Sequence, residues 1–383
     1  MRFLRRGKKA KKIILVISDL HLGAGHNLGG RKNSLEDFHS DEELVEFLKY
    51  HSTGEYAGVE VELIINGDFL DLLAVPHVPY FDDEYWSESA ALEKLELIIK
   101  AHPEVMEALD QFVSHKNKKI VYIIGNHDAE FVFDSLKERF FKVFKEEHRE
   151  RVVLSNEIET YNPATGVYLR HGHQYEQAHI FDQQNATIES KKGEKYFLPP
   201  WGSYYVTHVI NRYKQERYHM NAVRPINNFL IHGLIFDTFF TMRFMFANFY
   251  YYLMVRFLHY YRLKLGWKKI TEDIINELTL FQDFEGLTRT FFQEHEEARV
   301  LIVGHTHEPI YREFLDGTVF INTGTWTHMI SLDLEHQNDD SKLTFARVDL
   351  YKTDYKPEEF NENVRVSLNC WAPVQSLPYY DFR

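Results

Sequence analysis

Five short clusters of aspartate, histidine and asparagine stand far apart along the chain. They are Ser18-Asp19-Leu20-His21, Gly67-Asp68-Phe69-Leu70-Asp71, Gly125-Asn126-His127-Asp128, His171-Gly172-His173 and Gly304-His305-Thr306-His307. Carboxylate, amide and imidazole groups bind borderline divalent cations, and histidine also moves protons near neutral pH. Each cluster alone is typical of a surface turn, but the five in this order indicate one metal centre.

Apolar strands would position these clusters. Each cluster follows a run of aliphatic, β-branched residues, which is typical of a parallel strand buried on both faces. The runs are Lys12–Ser18, Val61–Asn66, Lys119–Ile124, Val167–Arg170 and Arg299–Val303. In α/β sheets, ligands gather beyond the carboxyl ends of the strands. Clusters that are distant in sequence can therefore meet at one site.

Helical patterns lie between the first strands. Apolar spacing predicts helices over Asp41–Tyr50 and over Ser89–Ser114, the second interrupted near Pro103. The sequence also predicts strands at Val152–Leu154, Val319–Asn322, Met329–Leu334 and Leu343–Leu350. Alternating strands and helices predict a layered α/β fold.

The strand pattern lapses over residues 176–298. We expect a core formed by residues 1–175 and 299–350, a helical, aromatic-rich cap insertion at 176–298, and an irregular C-terminal arm at 351–383. Within the insertion, Phe229–Leu263 contains thirteen aromatic residues. Its longest uncharged run, Phe244–Val255, is twelve residues, shorter than the roughly 18–20 that span a bilayer. The segment is therefore either a buried helical pair or an apolar face that meets lipid or an acyl chain.

The overall composition excludes several classes of protein. The chain has 383 residues, 44 Lys+Arg against 57 Asp+Glu, 21 histidines and one cysteine, Cys370. A single cysteine makes neither an internal disulfide nor a Cys-based zinc site. The acidic balance argues against a nucleic-acid partner. The oligomeric state stays open.

The N-terminal segment MRFLRRGKKAKK holds seven cations. The apolar run after it, Ile13–Ile17, is shorter than the roughly 7–15 residues of a signal-peptide core. We therefore expect a cytoplasmic protein. The basic segment is either a solvated tail or a peripheral contact with the anionic inner membrane surface.

The series SDLHLG, GDFLD, GNHD, HGH and GHTH resembles the motifs of the calcineurin-like metallophosphoesterase superfamily. The likeness covers roughly residues 12–175 and 299–350 and leaves out the insertion. It implies an α/β (α+β) fold of two packed β-sheets flanked by helices, with two metal ions at the strand ends.

The resemblance also implies a ligand set. One metal would be held by Asp19, His21, Asp68 and His307, and the other by Asp68, Asn126, His171 and His305. Asp68 would bridge the two ions.

Further residues would act beside the metals. His127 would contact the phosphate and assist the leaving oxygen, and Asp128 would orient His127 or stabilise its charge. Asp71 would lie behind the ligands. His173 either lines the site or is a structural turn residue, and His179 and His26 are expected to be ordinary polar histidines.

Such a centre suits phosphoester hydrolysis. Two cations about 3.5–4 Å apart neutralise a phosphate and lower the pKa of a bridging water, so that hydroxide exists at neutral pH. We expect a dinuclear phosphohydrolase in which this hydroxide attacks a phosphate ester or pyrophosphate. Oxygen and imidazole ligands favour Mn²⁺, with Fe²⁺ or Zn²⁺ as alternatives.

The substrate is a separate question, because the insertion can cap the site. The leading SDLHLG, the GDFLDL form and the aromatic insertion are similar to UDP-diacylglucosamine pyrophosphatases, which implies a lipid-linked nucleotide substrate. The fourth cluster reads HGH where those enzymes would have HGD. The alternatives are a phosphatase or phosphodiesterase for a soluble substrate or phosphoprotein, and a non-catalytic metal-binding scaffold.

Overall fold

The computed structural model describes residues 9–76, 83–154, 159–176, 178–217, 220, 223–224, 226–263, 284–328, 330–331 and 343–372. Its strands are β1 (Lys12–Ile17), β2 (Asn27–Leu28), β3 (Arg31–Lys32), β4 (Glu60–Asn66), β5 (Lys118–Ile123), β6 (Val152–Leu154), β7 (Tyr161–Ala164), β8 (Val167–Leu169), β9 (Thr187–Glu189), β10 (Lys195–Phe197), β11 (Val223–Arg224), β12 (Val300–Val303), β13 (Pro309–Glu313), β14 (Val319–Thr323), β15 (Ile330–Ser331), β16 (Leu343–Leu350) and β17 (Val364–Trp371). Of the strand predicted over Met329–Leu334, Ile330–Ser331 is described as β15, and the other positions lie outside the described residues.

The helices follow the predicted alternation in the first half of the chain. They are α1 (Asp41–Ser52), α2 (Glu88–Ala101), α3 (Pro103–Ser114), α4 (Asp134–Phe141), α5 (Trp201–Tyr205), α6 (Asn211–Lys214), α7 (Ile226–Phe236), α8 (Thr238–Leu263), α9 (Phe284–Glu294) and α10 (Phe360–Asn363). Pro103 is the first residue of α3, where its missing N–H costs no hydrogen bond. The predicted interruption near Pro103 is therefore confirmed.

Two sheets form the core. The first has six strands in the order β17-β16-β1-β4-β5-β6, with β1, β4, β5 and β6 parallel. The second has five strands in the order β13-β14-β12-β8-β7, with β14, β12 and β8 parallel. Both sheets carry antiparallel strands at an edge. The predicted α/β fold of packed sheets flanked by helices is confirmed.

Alternating side chains hold the layers together. In β1, Ile13 and Leu15 pack in the cluster that includes the helices, whereas Ile14 and Val16 pack against the second sheet, where they meet Ile302. Successive side chains of a strand point to opposite faces, so both faces of β1 are buried. Each such aliphatic side chain contributes roughly 1.5–3 kcal/mol on burial. This double burial explains the continuous apolar sequence of the core strands.

The described part of the insertion is mostly helical, but it also contains three short strands, β9, β10 and β11, and the last of these pairs with β15. The short hairpin β9–β10 precedes its helices, and the helical prediction is wrong there. Next, α5, a π-helical turn at Val206–Ile210 and α6 run on continuously. The Asn211 side chain donates to the carbonyl of Leu73 over 2.8 Å, and buried Lys214 donates to the carbonyl of Leu35 over 3.0 Å. These bonds fasten the insertion to the core segments that follow the first and second motifs.

Helices α7 and α8 divide their aromatic residues between two environments. Phe240 and Phe244 are buried beside Tyr213. Phe236 and Phe239, in contrast, are 84% and 79% exposed, so a fully buried helical pair is excluded. No helix in the described part of the chain is long and apolar enough to cross a membrane.

The C-terminal arm contains an unexpected strand. The sequence predicts an irregular arm over 351–383, and this prediction is wrong for Val364–Trp371. That segment is β17, which pairs antiparallel with the whole of β16 and extends the first sheet. Val364, Val366 and Leu368 alternate with polar residues and pack against the inter-sheet core, which is the pattern of a strand with one buried face.

Candidate metal centre

The motif residues lie where the parallel strands end, and their backbone is unusual. Described non-glycine residues with positive φ number five, and all are candidate ligands: Asp19 (53°), His21 (56°), Asp68 (52°), His305 (71°) and His307 (63°). A left-handed backbone costs roughly 1–2 kcal/mol for a residue with a Cβ. Such strain persists only where the surroundings impose it and it concentrates at functional sites.

Backbone bonds between neighbouring loops impose this geometry. The N–H of Asp19 donates to the carbonyl of Gly67 over 3.1 Å, and the N–H of His21 donates to that of Asp68 over 2.9 Å. Glycine is required here for close approach, since a Cβ on Gly67 would overlap the imidazole of His171. The loops of the first and second motifs are therefore held as one unit.

The first ligand group consists of Asp19, His21 and His307. Their ligand atoms all lie within 4.8 Å of one another. Nε2 of His21 is 3.0 Å from Nε2 of His307, and that nitrogen is 3.4 Å from Oδ1 of Asp19. Two imidazole nitrogens facing each other beside a carboxylate form a donor set that fits one divalent cation.

The second ligand group consists of Asp68, His171 and His305, again with ligand atoms within 4.8 Å of one another. Nε2 of His171 is 3.2 Å from both Oδ2 of Asp68 and Oδ1 of Asn126. Nδ1 of His171 donates to the carbonyl of Asn66 over 2.7 Å, which leaves Nε2 as the nitrogen for a metal.

Asp68 lies between the two groups. Its Oδ2 is 3.2 Å from His171 and 4.0 Å from Nε2 of His21. Burial opposes ionisation of Asp68, but the charges of His171 and His127 lower its pKa well below the usual value. Burial likewise opposes charge on His171, yet Asp68 raises the pKa of that imidazole to about 10. The carboxylate is therefore an anion facing imidazoles from both groups.

His127 stands at the open side of the site. Its side chain is 18% exposed, whereas those of Asp68 and His171 are 1% and 0% exposed. Nδ1 of His127 lies 2.9 Å from Oδ1 of Asp71, and the other oxygen of Asp71 lies 3.3 Å from Nδ1 of His21. Burial opposes charge on His127, but Asp71 raises its pKa to about 9. Asp71 is thus the partner that orients His127.

The expected orientation of His127 by Asp128 is wrong. The Asp128 carboxylate accepts hydrogen bonds from the Tyr122 hydroxyl at 2.7 Å and from the N–H groups of Phe69 at 3.0 Å and Gly125 at 2.6 Å. Burial and the charge of Asp68 raise the pKa of Asp128 to about 7. Its bonds tie the second motif to the third, so Asp128 holds the loops while adding only a weaker charge near His127.

His173 lies behind the second group. Its ring centroid is 5.4 Å from that of His171 and it stacks on Phe181 at 5.2 Å. Burial and the charge of His171 lower the pKa of His173 well below the usual value. It is absent from the groups of converging ligand atoms in the described part of the chain, so its position is that of a packed residue.

Sequence reasoning missed Glu176, and its expectation that His179 is an ordinary polar histidine is wrong. Glu176 and His179 form a further group of converging ligand atoms with His305. Burial, against the charge of Glu176 and with that of His305, lowers the pKa of His179 to about 4, so the imidazole is neutral. The spacing of Glu176 and His179, three residues apart just after the HGH motif, was the available signal. His26, by contrast, stacks on His39 away from the ligand groups.

The segment after β14 supports Asp19 and was also missed. The Thr325 hydroxyl donates to the carbonyl of Asp19 over 2.6 Å, and the hydroxyls of Ser18 and Thr323 lie 2.6 Å apart across the two sheets. Because β14 is parallel to β12, its carboxyl end opens on the same site. The donor set, its convergence and this support all fit a divalent metal centre.

Comparison with known proteins finds a family model that matches the chain. The model of the calcineurin-like phosphoesterase family matches residues 13–309. No curated protein matches the chain.

Solved structures that resemble the chain include a dimetal phosphatase from Danio rerio. It is 12% identical, the alignment covers 90% of this chain and 94% of that chain, and the TM-score is 0.36. A phosphopantetheinyl hydrolase from Mycobacterium tuberculosis is 13% identical, with 82% of this chain and 90% of that chain covered and a TM-score of 0.29. A 5′-nucleotidase from Candida albicans is 9% identical, with 96% of this chain and 53% of that chain covered and a TM-score of 0.33. The family match extends over most of the chain and spans all five motifs up to Pro309. The chain therefore belongs to the calcineurin-like phosphoesterase family and is a metal-dependent phosphoesterase.

Proposed function

We propose that the protein hydrolyses a phosphate ester or pyrophosphate with two divalent metal ions. The position of Asp68 between the two ligand groups carries this proposal. Asp19, His21, Asp68 and His307 would hold one ion, and Asp68, Asn126, His171 and His305 the other. Mn²⁺ is our first choice, with Fe²⁺ and Zn²⁺ as alternatives, because the ligands are oxygen and imidazole only.

Two such ions supply neutralisation of the phosphate charge and activation of a water nucleophile. The side chains around the metals would orient the substrate and transfer protons. Asp71 holds Nδ1 of His127, whose side chain is 18% exposed, so Nε2 would be the nitrogen that donates a hydrogen bond to the substrate. A protonated imidazole there can give its proton to the leaving oxygen. His127 is thus proposed as the catalytic residue, with Asp71 and Asp128 supporting it.

The test compares Asp68→Ala with His127→Ala in metal-loaded protein. Because Asp68 contacts both ligand groups, its loss is expected to remove both metals. His127→Ala is expected to keep both metals and lose rate on an aryl phosphodiester. Metal content is measured by elemental analysis beside turnover. Equal metal loss in the two variants, or no hydrolysis of any phosphate ester by wild-type protein loaded with Mn²⁺, would contradict the proposal.

We further propose a lipid-linked substrate taken from a membrane surface on the cytoplasmic side. The observation behind this is the exposed apolar face of α7 and α8. Its most exposed members are Ile235 (66%), Phe236 (84%), Phe239 (79%), Phe246 (69%) and Phe249 (61%). So many large apolar side chains exposed on two consecutive helices are unusual on a soluble surface, and they favour a contact with lipid or protein. Its aromatic side chains suit the boundary between headgroups and acyl chains.

The membrane proposal is tested with sedimentation of anionic vesicles. Replacing Phe236, Phe239 and Phe246 together with Ser should abolish sedimentation and spare hydrolysis of a small aryl phosphodiester. Leu315→Ser is the matched control, since Leu315 is fully exposed in the turn between β13 and β14. Unchanged vesicle binding in the triple variant would favour a phosphatase or phosphodiesterase for a soluble substrate.

A further inference from the structure

Two residues from the start of the insertion contact the second ligand group. Oε2 of Glu176 lies 2.6 Å from Nε2 of His305. Nδ1 of His179 lies 3.3 Å from Nδ2 of Asn126, and Nε2 of His179 lies 3.7 Å from Oε2 of Glu176. One carboxylate and one imidazole therefore connect Asn126 and His305, which come from different strands of different sheets.

The contact with Glu176 determines which nitrogen of His305 faces a metal. A carboxylate at 2.6 Å accepts the proton of Nε2, so Nδ1 is the nitrogen left as a ligand. In His171 the two nitrogens have the opposite roles. Its Nδ1 donates to the carbonyl of Asn66, and Nε2 is left as the ligand. An acceptor on the outer nitrogen of a metal-binding histidine fixes the ring and makes the inner nitrogen more basic.

The contact with His179 determines how the amide of Asn126 is turned. The amide nitrogen is directed at His179, and the oxygen is directed at Nε2 of His171, 3.2 Å away. Only the oxygen of an amide is a ligand for a cation. With the amide turned the other way, Asn126 would present N–H groups to the cluster and repel a metal.

We infer that Glu176 and His179 are positioning residues for the second metal ion, through which the insertion sets the affinity of that site. The inference rests on the proposed function, since it takes Asn126, His171 and His305 as ligands. The core supplies every proposed ligand, whereas the acceptors behind two of them come from the insertion. The insertion would therefore act on the metal centre through two of its ligands.

The experiment measures binding of Mn²⁺ to the full-length protein by calorimetry, with the two sites resolved. Glu176→Ala should weaken the second site about 10- to 100-fold and leave the first unchanged, which is the usual effect of losing such a partner. Glu176→Gln should lose less, because its amide oxygen still accepts from Nε2. His179→Ala should weaken the same site by a smaller factor.

Controls separate this role from others. Asp182→Asn changes an exposed carboxylate six residues further along the chain and should bind Mn²⁺ as the wild type does. The visible spectrum of bound Co²⁺ should shift in Glu176→Gln without a change in the number of ions bound. If Glu176→Gln weakens the site as much as Glu176→Ala, Glu176 is a direct ligand and the inference is wrong.

His171→Ala separates this inference from the proposed function. It should abolish the second site outright. If His171→Ala removes that site while both Glu176 variants bind like the wild type, the inference fails and the proposed function stands. If the wild type itself binds a single ion, both fail. Should Glu176→Ala not fold, the Gln variant and the Co²⁺ spectrum carry the test.

Discussion

The metal centre and the α7–α8 helix pair place their side chains by opposite means. At the metal centre, Asp68 and His171 are almost completely buried and bonded to named partners on both sides. On α8, Phe239 and Phe246 project into solvent, while Phe240 and Phe244 of the same helix pack inward. The metal centre holds its side chains in one fixed geometry, whereas the helix pair exposes apolar side chains to solvent.

This difference separates the reaction from its substrate. A buried network with a strained backbone has one arrangement, so it determines which chemistry the protein performs. An exposed apolar face makes no bonds that fix the metal centre, so under our proposal it affects which substrate or surface the protein binds. Changes in the two regions should therefore have separable effects, and the following predictions test that separation.

The largest effect is expected from His127→Gln. The side chain keeps a polar group near Asp71 but cannot donate a proton to a leaving group. We expect turnover to fall about 10²- to 10⁴-fold, the usual range for a general acid, with metal content unchanged. The fall should be the same for small and long-chain esters, as measured by steady-state kinetics.

The triple Ser variant of Phe236, Phe239 and Phe246 should lose turnover on long-chain substrates only and keep turnover on the small ester. A drop in turnover on the small ester in this variant would break the comparison, because it would show that the helix pair also shapes the metal centre.

The sequence predicts the candidate metal ligands better than it predicts the residues that hold those ligands in place. Apolar runs ending in Asp19, Asp68 and Asn126 predict the parallel strands, because double burial demands continuous apolar residues. Partners that come together only through the tertiary fold leave no such pattern. Asp128 adjoins His127 in sequence, yet the loop turns it toward Tyr122.

The missed strand has a different cause. β17 does carry an alternating apolar pattern, but Pro357 and the polar residues before it favour an irregular arm. Its pairing with β16 is antiparallel and comes late in the chain, outside the strand–helix alternation that identifies β1, β4 and β5. A period of two over Val364–Trp371 was the usable signal.

A third prediction concerns Lys94 and Glu130. Lys94 is fully buried in α2 and donates to both oxygens of Glu130 at 2.7 Å, and Glu130 lies two residues after Asp128. Removing one partner leaves a buried charge without compensation, which costs about 3–5 kcal/mol. Lys94→Met should lower the free energy of unfolding by about 3 kcal/mol in urea denaturation.

The double variant Lys94→Met with Glu130→Gln should recover part of that loss, since no uncompensated charge remains. Phe246→Ser, on the exposed face of α8, should stay within about 0.5 kcal/mol of the wild type. A Phe246→Ser variant as unstable as Lys94→Met would show that the helix pair is part of the folding core and not a presented surface.

The smallest effect is a dependence of stability on pH through His102. Burial opposes charge on His102, but the hydrogen bond with Asp41 and the nearby Glu36 raise its pKa to about 9 from 6.5. Glu36 in turn accepts from the N–H of Gly23 over 3.1 Å, just after the first motif. Protonated His102 therefore stabilises the loop that follows His21.

Because the folded-state pKa is raised, this stabilisation is complete below pH 6.5 and is lost as the pH rises through 9. We expect about 2 kcal/mol, less than the full shift would give, since Asp41 is partly exposed and screened by solvent. Urea denaturation at pH 6 and pH 9.5 should show the loss in the wild type and in His115→Gln, an exposed control. His102→Gln should remove it; if the pH dependence survives in that variant, another group links the loop to pH.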